Sequence, residues 1–277
     1  MEPSDIRTRL AGGERFLLDG AVGTELDRIG AKGRPGIAGA PEVIRQIHES
    51  YLEAGADLLT TDTFTTNRYG LRKCGYTEDR ITEFTRQAAE LACDTRDRLN
   101  PNALIVGSMS GPGFENIEQE YADQAEALVA GGVDVVQPEY TSFINSAPAT
   151  RAALRTGRPV FLGVRHVTEK GMLDTGHTIQ DVIDSFGGNR PDAILLMCSS
   201  PEAISASLPV LRQTFDGSIG AYANILDRWN ELTPERYAEF GREWVRDHGA
   251  QIVGGCCGTR PEHIAALRTV LDEAATS

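Results

Sequence analysis

The sequence predicts an α/β protein folded as a single (β/α)8 TIM barrel. Eight short apolar runs recur along the 277 residues, and a longer amphipathic stretch follows each of them. The runs are rich in Val, Ile, Leu and Ala without clean polar alternation, as strands of a parallel sheet covered on both faces are. No linker, low-complexity segment or break in composition divides the chain. One domain over 1–277, with its core at about 16–270, is therefore expected, and eight regular units favour a closed barrel over an open doubly wound sheet.

The apolar runs fall at 16–19, 57–61, 104–108, 133–139, 159–164, 193–197, 219–223 and 251–254. The helical patterns fall at 41–54, 78–99, 117–130, 142–155, 178–186, 201–214, 234–247 and 261–274. The first helix opens on Pro41, carries Val43, Ile44, Ile47, Tyr51 and Leu52 on one face, and stops at Gly55. Proline suits a first turn, whose N–H groups have no intrahelical partner, and glycine suits the residue past the end. Pro201, Pro234 and Pro261 open three more helices in the same way.

Hydrophobic residues make up 40% and charged residues 24%, which excludes wholesale disorder. The net charge of −13 argues against nucleic acid and anionic membrane surfaces as partners. No apolar run approaches the ~18 residues of a membrane span, and the polar, acidic start carries no signal-peptide pattern, so a cytoplasmic protein is expected. Five cysteines, an odd number, do not form a disulfide framework. They are inert thiols, a catalytic thiol or metal ligands.

In a barrel the active site forms where strands end, so the residues after each run are the candidates. They are Asp19-Gly20-Ala21, Asp62-Thr63-Phe64, the loop 107–113, Glu139-Tyr140, Arg165-His166, Cys198-Ser199, Asn224 and Gly255-Cys256-Cys257-Gly258. Cys198 follows the sixth strand and Cys256-Cys257 the eighth, so three thiols converge on one side of the mouth. Three thiolates with one open position suit a catalytic zinc ion. The same residues also fit a tight strand end of small buried side chains, or a cysteine nucleophile paired with His166 or His177. Cys74, in a loop, and Cys93, mid-helix, are expected bystanders. His48 and His263 lie on helices and are expected to be structural.

Several motifs together resemble the homocysteine S-methyltransferase family. Residues 249–264, with Gly254-Gly255-Cys256-Cys257-Gly258 at their centre, resemble its C-terminal signature. Residues 18–26, 48–57 with Thr61-Asp62-Thr63-Phe64, 107–113 and Cys198-Ser199-Ser200-Pro201 resemble its other motifs in the same order. The resemblance spans about 16–270 and implies a (β/α)8 barrel in which Cys198, Cys256 and Cys257 bind Zn2+. It implies that Asp19 and Gly20 bind homocysteine and that Glu139 meets the amino acid's ammonium group. Met197 and Asp62 stand where many relatives have Asn, Tyr140 where many have Thr, and Ala223 where many have Pro.

The implied reaction moves a methyl group from a sulfonium or quaternary ammonium donor to the homocysteine thiol, giving methionine. S-methylmethionine or S-adenosylmethionine is preferred as donor, because the chain has no room for cobalamin and folate domains. The Glu139-Tyr140 pair also keeps a betaine-like donor open. The aromatic faces of Tyr140 and Phe64 suit a cationic donor, and Asn224 joins them as a substrate-binding candidate. A non-catalytic zinc-site barrel serving as a binding subunit, and a different thiol or selenol acceptor, are the alternatives. The partners expected are small molecules alone, on a monomer or small homo-oligomer.

Overall fold

The computed structural model describes residues 4–31, 33–111, 117–228 and 230–275. Eight parallel strands alternate with helices in chain order: α1 (Ser4–Ala11), β1 (Phe16–Leu17), α2 (Val22–Arg28), α3 (Gly36–Gly39), α4 (Pro41–Glu53), β2 (Leu58–Thr60), α5 (Arg68–Lys73), α6 (Ile81–Leu99), β3 (Leu104–Ser110), α7 (Ile117–Ala130), β4 (Val135–Glu139), α8 (Phe143–Leu154), β5 (Phe161–Arg165), α9 (Ile179–Asp184), β6 (Ala193–Met197), α10 (Pro201–Thr214), β7 (Ser218–Ala223), α11 (Pro234–Arg246), β8 (Ile252–Gly255) and α12 (Pro261–Ala275). Among the described residues, no helix is long and apolar enough to cross a membrane.

The strands form two hydrogen-bonded arcs, β1-β8-β7-β6-β5 and β2-β3-β4. Isolated bridges join the arcs at two seams: Leu18 to Leu58, and Val136 to Val160 with Thr141 to Val164. The eight strands thus follow one another around the ring in chain order, as the run-and-helix alternation predicts. The predicted first strand is shorter than expected, with Phe16 and Leu17 alone in the ladder and Leu18 in a bridge. Asp19 follows, its carboxylate taking the Thr60 N–H at 2.8 Å.

Side chains alternate between two layers. Leu18, Leu58, Val106, Val135, Phe161, Leu195 and Ile252 fill the barrel interior. Leu17, Leu59, Ile105, Val136, Leu162, Ile194 and Val253 face the surrounding helices. Ile6 and Leu10 of α1, one turn apart, are buried with the interior set and close the lower end of the barrel.

The lower end also carries a repeated fastening. Asp57, just before β2, accepts the N–H of Leu17 on β1 at 2.8 Å. Asp134, before β4, does the same for Ile105 on β3 at 2.8 Å, and Asp192, before β6, for Val160 before β5 at 2.8 Å. Each carboxylate is also ion-paired, with Arg268 at 2.9 Å, Arg96 at 2.9 Å and Arg7 at 2.7 Å respectively. At the corresponding place before β8, Gln251 instead donates its amide to the carbonyls of Leu10 and Glu14.

The eight predicted helices are present, with the stretch 78–99 divided into a 3-10 turn at Glu78–Arg80 and α6, and the stretch 178–186 shortened to the six residues of α9. The short helices α1, α2, α3 and α5 are additions to the sequence reading. Pro112 and Gly113 of the glycine-proline loop lie outside the described residues.

Candidate active site

A cavity of about 580 Å3 opens at the C-terminal ends of the strands. Asp19, Gly20, Phe64, Glu139, Tyr140, Cys198, Asn224, Cys256 and Cys257 all line it, so the fold brings together every substrate- and metal-binding candidate of the sequence.

Cys198 leaves β6 with φ of 48°, a left-handed turn that aims its side chain across the mouth. Its N–H donates to the Tyr222 carbonyl at 3.2 Å. Cys256 donates its N–H to the Ala223 carbonyl at 3.0 Å, and the Cys257 carbonyl accepts from Ile225 N–H at 2.8 Å. These bonds tie the loop after β8 to the end of β7. Two glycines make the path possible. A Cβ at Gly254 would lie 2.6 Å from the Leu18 carbonyl oxygen. Gly258 has φ of +84°, and a Cβ there would lie 2.6 Å from the Leu226 Cα.

The three Sγ atoms lie within 4.8 Å of one another, and those of Cys256 and Cys257 are 3.9 Å apart. Thiolates on a tetrahedral metal with bonds near 2.3 Å stand about 3.8 Å apart, so the donor set fits a thiophilic ion. Crowding shapes the thiols. Hydrogen bonds from Cys198 and Cys256 favour the thiolate of Cys257 and pull it down. The same contacts hold the Cys256 thiol up. Such a group holds one negative charge readily and gains from a cation that neutralises more. Asn224 Nδ2 donates toward Cys198 Sγ at 3.8 Å.

Beside the loop after β8, where its carbonyl accepts from Gly255 N–H at 3.0 Å, Asp19 takes Thr60 N–H at 2.8 Å and Thr60 Oγ1 at 2.7 Å on its carboxylate. Burial nevertheless holds its carboxyl well above the usual range. Glu139 is gripped by the Ser108 hydroxyl, by Gln137 Nε2 at 3.0 Å and by Tyr222 OH at 2.8 Å. Burial again raises its carboxyl. Ser108 falls in the candidate loop 107–113, whereas Gln137 and Tyr222 were not among the sequence candidates. Gln137 and Tyr222 stand two residues before Glu139 and Asn224, on the same inward face of β4 and β7, and that alternation is the signal for them.

The family model for homocysteine S-methyltransferases matches residues 16–271. The chain belongs to the homocysteine S-methyltransferase family. Within this family it is similar to the homocysteine S-methyltransferase YbgG of Bacillus subtilis (strain 168), at 24% identity over 91% of this chain and 93% of that one. Its fold is similar to the Escherichia coli homocysteine methyltransferase MmuM. The metallated form of MmuM superposes with a TM-score of 0.80 at 23% identity, covering 94% of this chain and 98% of that one. The oxidised form gives 0.79 at 23% identity, over 92% and 95%. In this homocysteine S-methyltransferase, Cys198, Cys256 and Cys257 are, among the described residues, side chains grouped closely enough to hold a metal ion.

Tyr140, a departure from many relatives of this methyltransferase, has φ of 57°. Its ring meets Phe64 edge-on with centroids 5.9 Å apart, and the Arg165 guanidinium lies 4.2 Å from its centroid. Its hydroxyl is 3.2 Å from His166 Nε2, whose Nδ1 is 2.9 Å from Asp174. His166 lines the cavity, whereas His177 stacks on Phe143 and is not among the cavity-lining residues. Met197, a second departure, places its sulfur 3.0 Å from both Tyr140 N and Tyr222 OH. Asp62, a third, is buried at the cavity wall.

The expected bystanders lie apart. Cys93 donates to the Gly131 and Gly132 carbonyls, and burial raises its thiol to about 11. Cys74 caps α5. Burial lowers His48 to about 3, so its ring stays neutral inside the fold. His263 bonds the Leu232 carbonyl at 3.1 Å.

Proposed function

We propose that this methyltransferase moves a methyl group from a sulfonium donor to the thiol of homocysteine, giving methionine, with zinc at Cys198, Cys256 and Cys257. The supporting observation is the placement of three thiols within 4.8 Å of one another in the cavity that also holds Glu139 and Asp19. When bound there, a zinc ion keeps a thiol in its nucleophilic thiolate form at neutral pH.

The chain's own residues then bind and align. The Glu139 carboxyl, fixed by three hydrogen bonds and raised by burial, gains from an ammonium partner that restores its charge. Asp19 and Gly20 line the same cavity and complete the homocysteine side. The exposed Phe64 ring offers a face to a cationic donor, an attraction of roughly 0.5–2 kcal/mol, beside a Tyr140 ring that already holds the Arg165 guanidinium. Asn224, beside Cys198 Sγ, steadies that end of the thiol group. The homocysteine sulfur forms the new bond to the methyl carbon. The donor's carbon–sulfur bond breaks and its electron pair leaves on a neutral thioether, so no acid is needed for departure. What the protein supplies is alignment of sulfur, carbon and leaving sulfur.

Metal analysis of the purified protein and of Cys198→Ser, with methionine formation assayed from homocysteine and S-methylmethionine, tests this. About one zinc per chain is expected, lost together with activity in the variant. Full activity in zinc-free protein would sink the proposal.

A further inference from the structure

We infer that Asp62 selects the methyl donor, by taking the ammonium group of an α-amino-acid sulfonium on the wall of the cavity opposite Cys198. The inference rests on the proposed methyl transfer for its place in the reaction, and names the donor class that reaction uses.

Asp62 follows β2, which stands four strands from β6 in the ring, and Cys198 follows β6. Both side chains line the same cavity. Asp62 is 8% exposed, and no hydrogen bond from a side chain reaches its carboxylate among the described residues. Its Oδ2 is sealed onto the backbone of Gly36, where a Cβ would come within 2.5 Å of it. The other carboxylates of the cavity are served: Asp19 by Thr60, Glu139 by Ser108, Gln137 and Tyr222, and Asp27 by Arg34 at 2.7 Å. Arg34 Nη2 is itself shared between Asp27 and the Gly23 carbonyl at 2.8 Å.

The Gly36 N–H is the backbone donor to Asp62 and the Arg34 charge acts on it from farther away, but the buried carboxylate has no side-chain partner, and a ligand can supply one. The ligand must be cationic and must carry N–H groups. An α-amino-acid sulfonium has both, and its sulfonium charge has the exposed ring of Phe64, two residues beyond Asp62, to rest on. A quaternary ammonium such as betaine carries no N–H and leaves Asp62 unpaired. A site built around a hydrogen-bonding group discriminates strongly against the analogue that lacks it.

Titration calorimetry on the zinc-loaded protein tests the inference with two sulfoniums of one skeleton. These are S-methylmethionine and (3-carboxypropyl)dimethylsulfonium, which lacks only the amino group. The wild type is expected to bind S-methylmethionine at least about ten-fold more tightly. Asp62→Asn, which keeps the shape, and Asp62→Ala should each bring the two ligands within about three-fold, leaving homocysteine affinity unchanged. Equal binding of both sulfoniums by the wild type, or equal losses for both in Asp62→Asn, would overturn it. Asp62-dependent discrimination without methionine formation would sustain the inference and defeat the methyl-transfer reading. Methionine formed equally well from both donors would do the reverse.

Discussion

Burial raises the Asp62 carboxyl to about 7 from an ordinary value of 3.8. The unfolded chain releases that proton at lower pH than the fold does. The penalty is therefore absent below about pH 4, grows as pH rises, and is complete above about pH 7. Asp62→Asn, free of charge at every pH, should unfold at a higher temperature than the wild type at pH 8. The gain is on the order of 2–4 kcal/mol and should fade toward zero by about pH 4. Thermal unfolding at pH 8, 6 and 4.5 without donor checks it, and a gain independent of pH would contradict the buried charge. At this scale the sequence displayed its cysteines plainly, because Cys198, Cys256 and Cys257 all sit at strand ends. The Gln137 amide and the Tyr222 hydroxyl around Glu139 were hidden. They are ordinary residues of apolar strands, and only their inward direction makes them part of the site.

At the scale of elements, the loop after β8 carries two of the three thiols on a backbone that only glycine can follow. Gly258→Ala forces a side chain into φ of +84° and against the Leu226 backbone. It should cost about 2 kcal/mol or more in stability and turn Cys257 away from its neighbours. Zinc content per chain, measured beside the melting temperature, should fall well below that of the wild type. A fully loaded variant would show that the loop tolerates another path. The strands were legible as short apolar runs set between helices long enough to show their period; β1, with two residues, and β2, with three, show none of their own. The short helices were not. α3 is Gly-Ile-Ala-Gly, a sequence without helical preference, and Gly36 lies there against Asp62 through tertiary packing. α1 shows only Ile6 and Leu10, one turn apart, too little to mark a helix until the open barrel floor beneath them is known.

That floor belongs to the whole molecule. Leu10→Ala removes a side chain buried with the barrel interior and should cost about 2–4 kcal/mol. Because the cavity lies at the other end, kcat in the variant should match the wild type at a temperature where both are folded. Denaturant midpoints and initial rates together check this; a loss of rate without loss of stability would contradict it. The aspartates before β2, β4 and β6 give the floor a rhythm that the strand count hides. Each fastens the odd-numbered strand before it, so the ring advances by twos, and a defect at one carboxylate loosens a single step. At the fourth step the rhythm breaks. Gln251 reaches for Leu10 and Glu14 instead of a strand, so the gap in the pattern is the buttonhole through which the leading helix is stitched to the ring.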